Sequence, residues 1–312
     1  MKGLLACLLL FFCTLSFAQS SKEQYQKALA FSEKKDFKNA LVQITLALRT
    51  DSLNADYLTD QGDYFTELKM YNDAFAAYTK AIENDSNKSY IYAHRGSMLL
   101  TIQEFDYAIA DFNSGLKVAE SDSIKSYLLV NRAAVKTYKR DFAGAYNDLI
   151  KVYQFDSTNV GMLINLAAVC DEVGKGDETL KYLLKAVAID PKAYAAYGNI
   201  GFKYQDMGEY KKAIEYFNKV LEFNPDEPLG YSNRSFNKYK LGDLKGAYED
   251  IEKSISLYPD NSYAYRIRAL IAIQDNKMQN ACRDLQKALD LNFTAVYGEE
   301  VISLQKKYCN QN

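Results

Sequence analysis

Few residues in the chain could support catalysis. The chain has one histidine, His94, so a histidine-based metal site or a histidine-dependent catalytic triad has almost nothing to draw on. Cys170, Cys282 and Cys309 lack CxxC spacing, and the glycine pair at 174 and 176 follows no predicted strand, unlike a phosphate-binding loop. We therefore predict a chain without enzymatic activity, metal or cofactor. For His94 we expect a solvated or partner-contacting imidazole.

A second group of polar residues is acidic. Asp56, Asp60, Asp63 and Glu67 recur at intervals of four, three and four residues. This spacing puts four carboxylates on one face of a helix, called here the acidic face. Two interpretations stay open. The face is either an ordinary solvated surface or part of a binding surface that favours a basic partner segment.

Four asparagines recur every 34 residues, at Asn131, Asn165, Asn199 and Asn233. His94 takes the equivalent position 37 residues before the first of them. A primary amide carries both a donor and an acceptor, so it can bind a peptide group at each end. This asparagine row would suit an extended backbone of any sequence. The alternative is that these amides are solvent-tolerant surface residues with no ligand.

The charge balance argues against a general nucleic-acid-binding surface. Lys and Arg number 38 against 40 Asp and Glu, which gives a formal net charge of −2. The longest basic runs are pairs such as Lys211 and Lys212. Binding to phosphate backbones needs a clustered basic surface, and no such cluster is present in the sequence.

The 34-residue interval extends along nearly the whole chain. Two series of small residues follow it, with one interval of 37 residues in each. The first series is Ala28, Gly62, Gly96, Ala133, Ala167, Gly201, Ser235 and Ala269, and the second is Ala40, Ala74, Ala108, Ala145, Thr179, Ala213, Ala247 and Ala281. Small residues in register predict helix pairs whose backbones approach closely.

Residues 194–227 show what each interval contains. Two apolar helix faces are separated by Gly208 and closed by Pro225, which cannot continue a helix. The spacing of Tyr197, Ile200, Gly201, Tyr204, Ala213, Phe217 and Pro225 resembles that of the tetratricopeptide-repeat family. The resemblance implies an all-α fold, a right-handed α-solenoid (superhelix) of stacked antiparallel helix pairs.

The period divides the chain into segments. We predict a signal peptide over residues 1–18, a tetratricopeptide-repeat region over 19–295 and a C-terminal capping helix within 296–312, running to Cys309. Residues 123–125 interrupt the period and are expected to lengthen a helix or a loop. The eight repeats are predicted at 21–54, 55–88, 89–122, 126–159, 160–193, 194–227, 228–261 and 262–295.

The resemblance also implies a concave groove lined by the first helix of each repeat. On that basis the acidic face, the asparagine row and His94 are candidate groove residues. The asparagine row is similar to the ladder in the peptide-binding superhelix of the O-linked N-acetylglucosamine transferase family. Exposed aromatic side chains at a concave surface are typical binding anchors, and six occupy groove positions. They are Tyr90, Tyr127, Tyr138, Phe202, Phe236 and Tyr239.

Two classes of function fit these features. The chain is either an interaction scaffold that binds an extended peptide or a partner protein in its groove, or a structural subunit of an envelope assembly that uses its faces and ends. The groove aromatics favour the scaffold. The family's lysine and asparagine clamp for a C-terminal carboxylate is absent, because no repeat has Lys at its fifth position or Asn at its ninth.

The C-terminal cysteines are expected to meet. Cys282 lies near the start of the last repeat's second helix and Cys309 at the end of the predicted capping helix. Both are about equally distant from the turn expected near residues 292–295, so antiparallel packing would place them side by side. We predict a disulfide between them, the alternative being two reduced, buried thiols. Cys170, on an apolar face, is expected to stay a buried free thiol.

The first prediction concerns export. Lys2, an apolar stretch over residues 4–12 and the small residues Ser16 and Ala18 form a secretory signal, so the mature chain is expected to begin at Gln19. The apolar stretch is too short to span a bilayer, which needs about 20 residues. The mature protein would then lie in the periplasm, at the cell surface or outside the cell. Intact mass of the exported protein tests this, and a lipid-modified Cys7 or a retained Met1 would contradict it.

Overall fold

A computed structural model describes residues 21–309, and the predicted signal peptide lies outside that range. These residues form helices joined by short turns, with no strand among them. None of the helices in this range is long and apolar enough to cross a bilayer. In chain order the helices are α1 (residues 21–33), α2 (Phe37–Thr50), α3 (Ala55–Glu67), α4 (Tyr71–Asn84), α5 (Ser89–Thr101), α6 (Phe105–Lys117), α7 (Asp122–Tyr138), α8 (Phe142–Phe155), α9 (Val160–Cys170), α10 (Gly176–Ile189), α11 (Tyr194–Asp206), α12 (Tyr210–Phe223), α13 (Pro228–Lys240), α14 (Leu244–Leu257), α15 (Ser262–Gln274), α16 (Met278–Asp290), α17 (Phe293–Tyr297) and α18 (Glu300–Tyr308).

The helices gather into two compact units that divide after Ser157. The first unit contains α1–α8 and the second α9–α18. Up to α16, we call each odd-numbered helix an A helix and each even-numbered helix a B helix. Within each unit an A helix and the following B helix form a hairpin, and B helices pack on the next A helix. This is the predicted all-α solenoid arrangement of stacked helix pairs.

Each hairpin depends on a close contact between a small residue and a large one. A Cβ atom on Gly62 would lie 2.5 Å from the Tyr78 ring, and one on Gly96 would lie 2.6 Å from the Phe112 ring. These glycines leave room for an aromatic ring from the B helix, and the rings of Tyr78 and Phe112 are almost fully buried there. Ser235 fills the same position in a later pair, where its hydroxyl donates to the Ala247 carbonyl at 2.7 Å.

The turn between each A and B helix contains one residue in the left-handed region. Its φ lies between 58° and 84° in all eight pairs. A left-handed conformation costs a non-glycine residue roughly 1 kcal/mol, yet glycine occupies only three of these positions. The residues are Lys35, Lys69, Gln103, Arg140, Gly174, Gly208, Gly242 and Asn276. The turn is therefore set by helix packing more than by local propensity.

Four arginines on A helices tie neighbouring pairs together. Each forms a two-point ion pair with an aspartate 16 residues later on the B helix, at 2.6–2.8 Å. Its remaining terminal nitrogen donates to the preceding B helix, at 2.6–2.8 Å. These Arg–Asp forks are Arg95 with Asp111, Arg132 with Asp148, Arg234 with Asp250 and Arg268 with Asp284. Two other pairs carry apolar and tyrosine residues at these positions, Leu166 with Tyr182 and Ile200 with Tyr216.

The two irregular parts of the period have simple structures. Residues 123–125 lie within α7, which has 17 residues where most A helices have 13. The capping helix is shorter than predicted. It begins at Glu300 instead of Val296, because Gly298 adopts φ 81° and separates it from the short helix α17. Tyr297 therefore lies outside the helix that carries the buried Val301.

The capping helix is joined covalently to the last pair. Cys282 of α16 and Cys309 form a disulfide with a Cα–Cα distance of 5.6 Å. In the chain-entropy description, closing a loop of this length stabilises the fold by about 3 kcal/mol. Cys170 is a buried free thiol, and burial raises its pKa to about 11.

The second prediction concerns the Arg–Asp forks. Asp111→Ala should lower the free energy of unfolding by about 3 kcal/mol, because the guanidinium of Arg95 stays largely buried and loses its counter-charge. Arg95→Leu with Asp111→Tyr recreates the pair found at Leu166 and Tyr182, and should cost only about 1 kcal/mol. Urea unfolding followed by circular dichroism measures both. A double variant as unstable as the single one would show that the apolar pair cannot replace the fork.

Candidate functional site

The acidic face of α3 is not a bare solvated surface. Lys88 makes an ion pair with Asp56 at 2.5 Å, and the Tyr90 hydroxyl donates to the same carboxylate. Burial raises the pKa of Asp56, but the hydrogen bonds from Lys88 and Tyr90 outweigh it and hold the pKa below its usual value. Asp56 was predicted to attract a basic partner. That remains a prediction, and a partner would have to compete with the cation that the chain supplies, Lys88.

The next two carboxylates on α3 are held by hydroxyl and imidazole groups. The Tyr25 hydroxyl donates to Asp60 at 2.8 Å, and the Tyr78 hydroxyl donates to Asp63 at 2.7 Å. The His94 Nδ1 lies 2.7 Å from the same oxygen of Asp63. These contacts orient the two carboxylates without a lysine or arginine among the described residues.

The pKa values of this group follow from that arrangement. Burial raises the pKa of Asp60, and the nearby charge of Asp63 adds to the effect. Burial lowers the pKa of His94, but its hydrogen bond with Asp63 and the charges of Asp63 and Asp60 outweigh it, so the pKa is raised above 6.5. The site therefore carries negative charge at a cost in folding free energy.

A cavity of about 370 Å³ opens beside these residues in the first unit. Asp60, Asp63 and Glu67 contribute its acidic groups, and Phe37 and Tyr64 contribute aromatic ones. Glu67 is exposed and makes no ion pair with any residue in the range 21–309. We call this the acidic cavity. It combines apolar surface with carboxylates that lack a full cationic partner.

The asparagine row is only partly open to a ligand. Asn131 is half-buried in the first unit, and its amide donates to the Tyr127 carbonyl at 2.9 Å. In the second unit, Asn165 is half-buried and Asn199 is exposed. Asn233 is only 6% exposed, because α13 packs against α12, α14 and α15. Asn233 was predicted to line the groove, and its burial leaves its amide closed to a ligand in this structure.

The six predicted aromatic anchors also differ in their exposure. Tyr127, Tyr138 and Phe202 are exposed, at 47%, 70% and 43%. The ring of Tyr138 stacks on Phe105 at 5.4 Å, so one of its faces is covered. The other three are half-buried and partnered within the chain: Tyr90 by Asp56, Phe236 by Arg266, and Tyr239 by Phe236. Tyr127 and Phe202 also have partners, since the Tyr127 hydroxyl is hydrogen-bonded to Ser97 at 2.9 Å and the Phe202 ring packs edge-on against Phe217. Their rings are nevertheless largely exposed, one in each unit.

Sequence reasoning missed several residues of the site. Tyr25, Tyr64, Tyr78 and Lys88 were not identified as site residues. Partners on neighbouring A helices are separated by 31–35 residues, as Tyr25 and Asp60 are. A search for pairs of polar residues whose separation in the sequence is close to the 34-residue repeat would have found most of these contacts. Tyr64 has no such partner and gives no sequence signal.

The second unit contains a cation in a comparable setting. Arg266 of α15 forms a two-point ion pair with Glu300 and lies over the rings of Phe236 and Tyr263, 5.2 Å and 5.6 Å from their centroids. Here a carboxylate and aromatic rings hold a guanidinium supplied by the chain itself.

Comparison with known proteins agrees with these hairpins. The profile described as "Tetratricopeptide repeat" matches residues 194–227, the segment that forms α11 and α12 with Gly201 against Phe217. Residues 194–227 are therefore identified as a tetratricopeptide repeat. No curated protein matches its sequence.

Solved structures of such repeat proteins share the fold. A chain of the APC/C hetero-tetramer Cut9–Hcn1 is 13% identical with a TM-score of 0.63, over 86% of this chain and 52% of that one. The C-terminal part of a TPR repeat-containing protein from Cytophaga hutchinsonii is 19% identical with a TM-score of 0.57, over 78% and 99%. PilF from Pseudomonas aeruginosa is 14% identical with a TM-score of 0.53, over 81% and 99%. These likenesses show the fold alone.

The third prediction concerns Asp60. The pKa of Asp60 is higher in the folded protein than in the unfolded chain, so its protonated form contributes stability. That contribution is fully present below pH 3.8 and is lost as the pH rises through the pKa of Asp60 in the folded protein. Asp60→Asn keeps an acceptor for Tyr25 and should raise the melting temperature at pH 7 by about 2 °C. The gain should shrink as the pH approaches 4.

Thermal unfolding followed by circular dichroism measures this. The control is Asp73→Asn, which removes an exposed carboxylate from the first turn of α4 and should lower the melting temperature slightly, because a negative charge there interacts favourably with the helix dipole. A lower melting temperature for Asp60→Asn at pH 7 would show that the ionised carboxylate stabilises the fold.

Proposed function

We propose that this tetratricopeptide-repeat protein is a non-catalytic interaction scaffold that binds an extended peptide or partner protein along its A helices. The observation that carries this proposal is that the A helices of each unit carry exposed groups able to contact a partner. They are the exposed rings of Tyr127 and Phe202, the exposed amide of Asn199 and the acidic cavity. Aromatic anchors beside polar groups that bind backbone are typical of protein-binding surfaces.

The charge of the acidic cavity supports a basic segment in the partner. Asp60, Asp63 and Glu67 face no lysine or arginine among residues 21–309, and His94 is the only nearby group that can become cationic. Exposed charges are screened over about 10 Å at 0.1 M salt, so binding should weaken as the ionic strength rises. The charge would also favour association with basic partners over acidic ones.

The protein is proposed to act outside the cytoplasm. The predicted signal peptide carries this part of the proposal, and the Cys282–Cys309 disulfide is consistent with an oxidising compartment. The periplasm, the cell surface and the extracellular medium are all consistent with an exported chain that carries a disulfide.

The fourth prediction tests the surface. The mature chain is used as bait on envelope extract, and the captured partner is then titrated against Asn165→Ala/Asn199→Ala. Each lost hydrogen bond should cost about 1 kcal/mol, so the dissociation constant should rise roughly 30-fold. The matched control is Lys245→Ala/Glu249→Ala on the B helix α14, which should bind as the wild type does.

Two results would count against the scaffold. Wild-type affinity in the folded asparagine variant would move the binding surface off the asparagine row. A defined oligomer in light scattering, with loss of binding only in the B-helix variant, would instead support a structural subunit of an envelope assembly.

A further inference from the structure

The acidic cavity has acceptor groups that the chain does not use. Only one oxygen of Asp60 and one of Asp63 accept hydrogen bonds from the described residues. The second oxygen of each carboxylate has no partner there, and neither oxygen of Glu67 has one. Because the three residues follow one face of α3, these acceptors are spread over about 10 Å along the helix axis.

A buried hydroxyl independently points to a missing ligand. Tyr64 lines the cavity and is only 3% exposed, yet its hydroxyl oxygen makes no hydrogen bond of normal geometry in the described part of the chain, its one polar neighbour being the Ser32 side chain, which also lines the cavity. A buried polar group without a partner is costly and uncommon in native proteins. Burial also raises the pKa of Tyr64 to about 12, so the phenol is neutral and can accept a hydrogen bond through its oxygen.

The chemistry of the cavity favours an organic cation over a metal ion. Within residues 21–309 no three His, Cys, Asp or Glu side chains are grouped closely enough to hold a metal. The aromatic side of the cavity is formed by Phe37 and Tyr64, whose rings are 6.3 Å apart and tilted by 37°. Aromatic rings beside carboxylates attract cations that have flat or apolar surfaces.

The protein itself shows which cation suits such a setting. Arg266 is held by the Glu300 carboxylate and the rings of Phe236 and Tyr263. Arg95 lies 5.1 Å from the Phe75 ring while it forms a two-point ion pair with Asp111. In each case a planar guanidinium uses several donors at once. The acidic cavity offers the same partners, carboxylates and aromatic rings, but no guanidinium.

We propose that the acidic cavity binds the guanidinium of one arginine in the partner's basic segment. The guanidinium donates to the free oxygens of Asp60 and Asp63 and to the Tyr64 hydroxyl, and it lies against the aromatic side. Glu67 lies about 6 Å further along the helix axis and contributes its negative charge. This inference rests on the proposed scaffold function and specifies the partner residue. Arginine fits better than lysine because its five donors form a planar fork that reaches several separated acceptors, whereas an ammonium group is compact.

His94 is a reporter for the test because it is the only histidine in the chain. The titratable groups around it are Asp60, Asp63 and Glu67 of α3 with Tyr64 of the same helix, Tyr78 of α4 and Tyr90 of its own helix. A cation bound beside Asp63 disfavours a second positive charge on the imidazole. Binding should therefore lower the pKa of His94 from its raised value, by about half a pH unit or more.

The experiment titrates the folded mature protein with a blocked pentapeptide that has one arginine between glycines, while NMR follows the His94 imidazole. Peptides with lysine or uncharged citrulline at the same position are compared. The titration extends to about 20 mM, since a single side chain is expected to bind with a Kd on the order of 1 mM. The arginine peptide should shift the signal and lower the His94 pKa. The citrulline peptide should do neither, and the lysine peptide should bind several-fold more weakly.

Two variants and a control locate the contact. Tyr64→Phe removes only the unpaired hydroxyl, so the fold should persist while the Kd for the arginine peptide rises about fivefold. Glu67→Gln removes an exposed charge and should raise the Kd by a similar factor. Asp73→Asn, on α4, should leave the titration unchanged.

The outcomes separate this inference from the scaffold function. No change in the His94 signal, equal binding of the lysine or citrulline peptide, or wild-type binding by Tyr64→Phe overturns the arginine site. If the captured partner still depends on Asn165 and Asn199, the scaffold function survives that result. If the partner ignores those asparagines while the arginine peptide binds the cavity as described, binding along the asparagine row fails and the cavity stands.

Discussion

The contact between a small residue of one helix and a large ring of the next is the constraint on which this structure depends. Gly62, Gly96 and Gly201 face the rings of Tyr78, Phe112 and Phe217, each 16 residues later. The contact fixes how far each hairpin closes and in which register. The Arg–Asp forks share that offset of 16 residues. The Arg–Asp forks and the glycine–ring contacts therefore require the same register between an A helix and its B helix. Each guanidinium also connects its own hairpin to the preceding B helix.

The same geometry explains why the candidate site lies where it does. The contacts between small residues and rings and the Arg–Asp forks both lie on the sides of the A helices that face B helices. One side of each A helix is therefore left for other contacts. On α3 that side carries Asp60, Asp63 and Glu67, and burial raises the pKa of Asp60. A fold selected for stability alone would not keep carboxylates without cations beside a hydroxyl that has no partner. Binding surfaces often contain unpaired polar groups that lower the stability of the free protein, because the ligand pairs with them when it binds.

The parts of the protein that the sequence predicted well are those governed by spacing along one helix. The small residues at intervals of 34 predicted the hairpins, and the three extra residues before Ser126 predicted a lengthened element, which is α7. The positions of Cys282 and Cys309 relative to the turn predicted neighbouring sulfur atoms, and the structure joins them. The capping helix was predicted too long because the pattern of apolar residues continues through Gly298, whose positive φ of 81° ends α17.

By itself, then, the sequence determined the all-α class, the helix pairs and the faces on which residues lie, because a period of 3.6 residues and a repeat of 34 are properties of the chain. Only the tertiary structure decided which side chains on those faces have partners. Lys88 reaches Asp56, α13 buries Asn233 among its neighbours, and Tyr64 is left without a hydrogen bond. The physical reason is that pairing between helices depends on side-chain length and rotamer across a gap of several ångströms. The sequence pattern shows which helix face a residue lies on, but not which side chain it meets on the next helix.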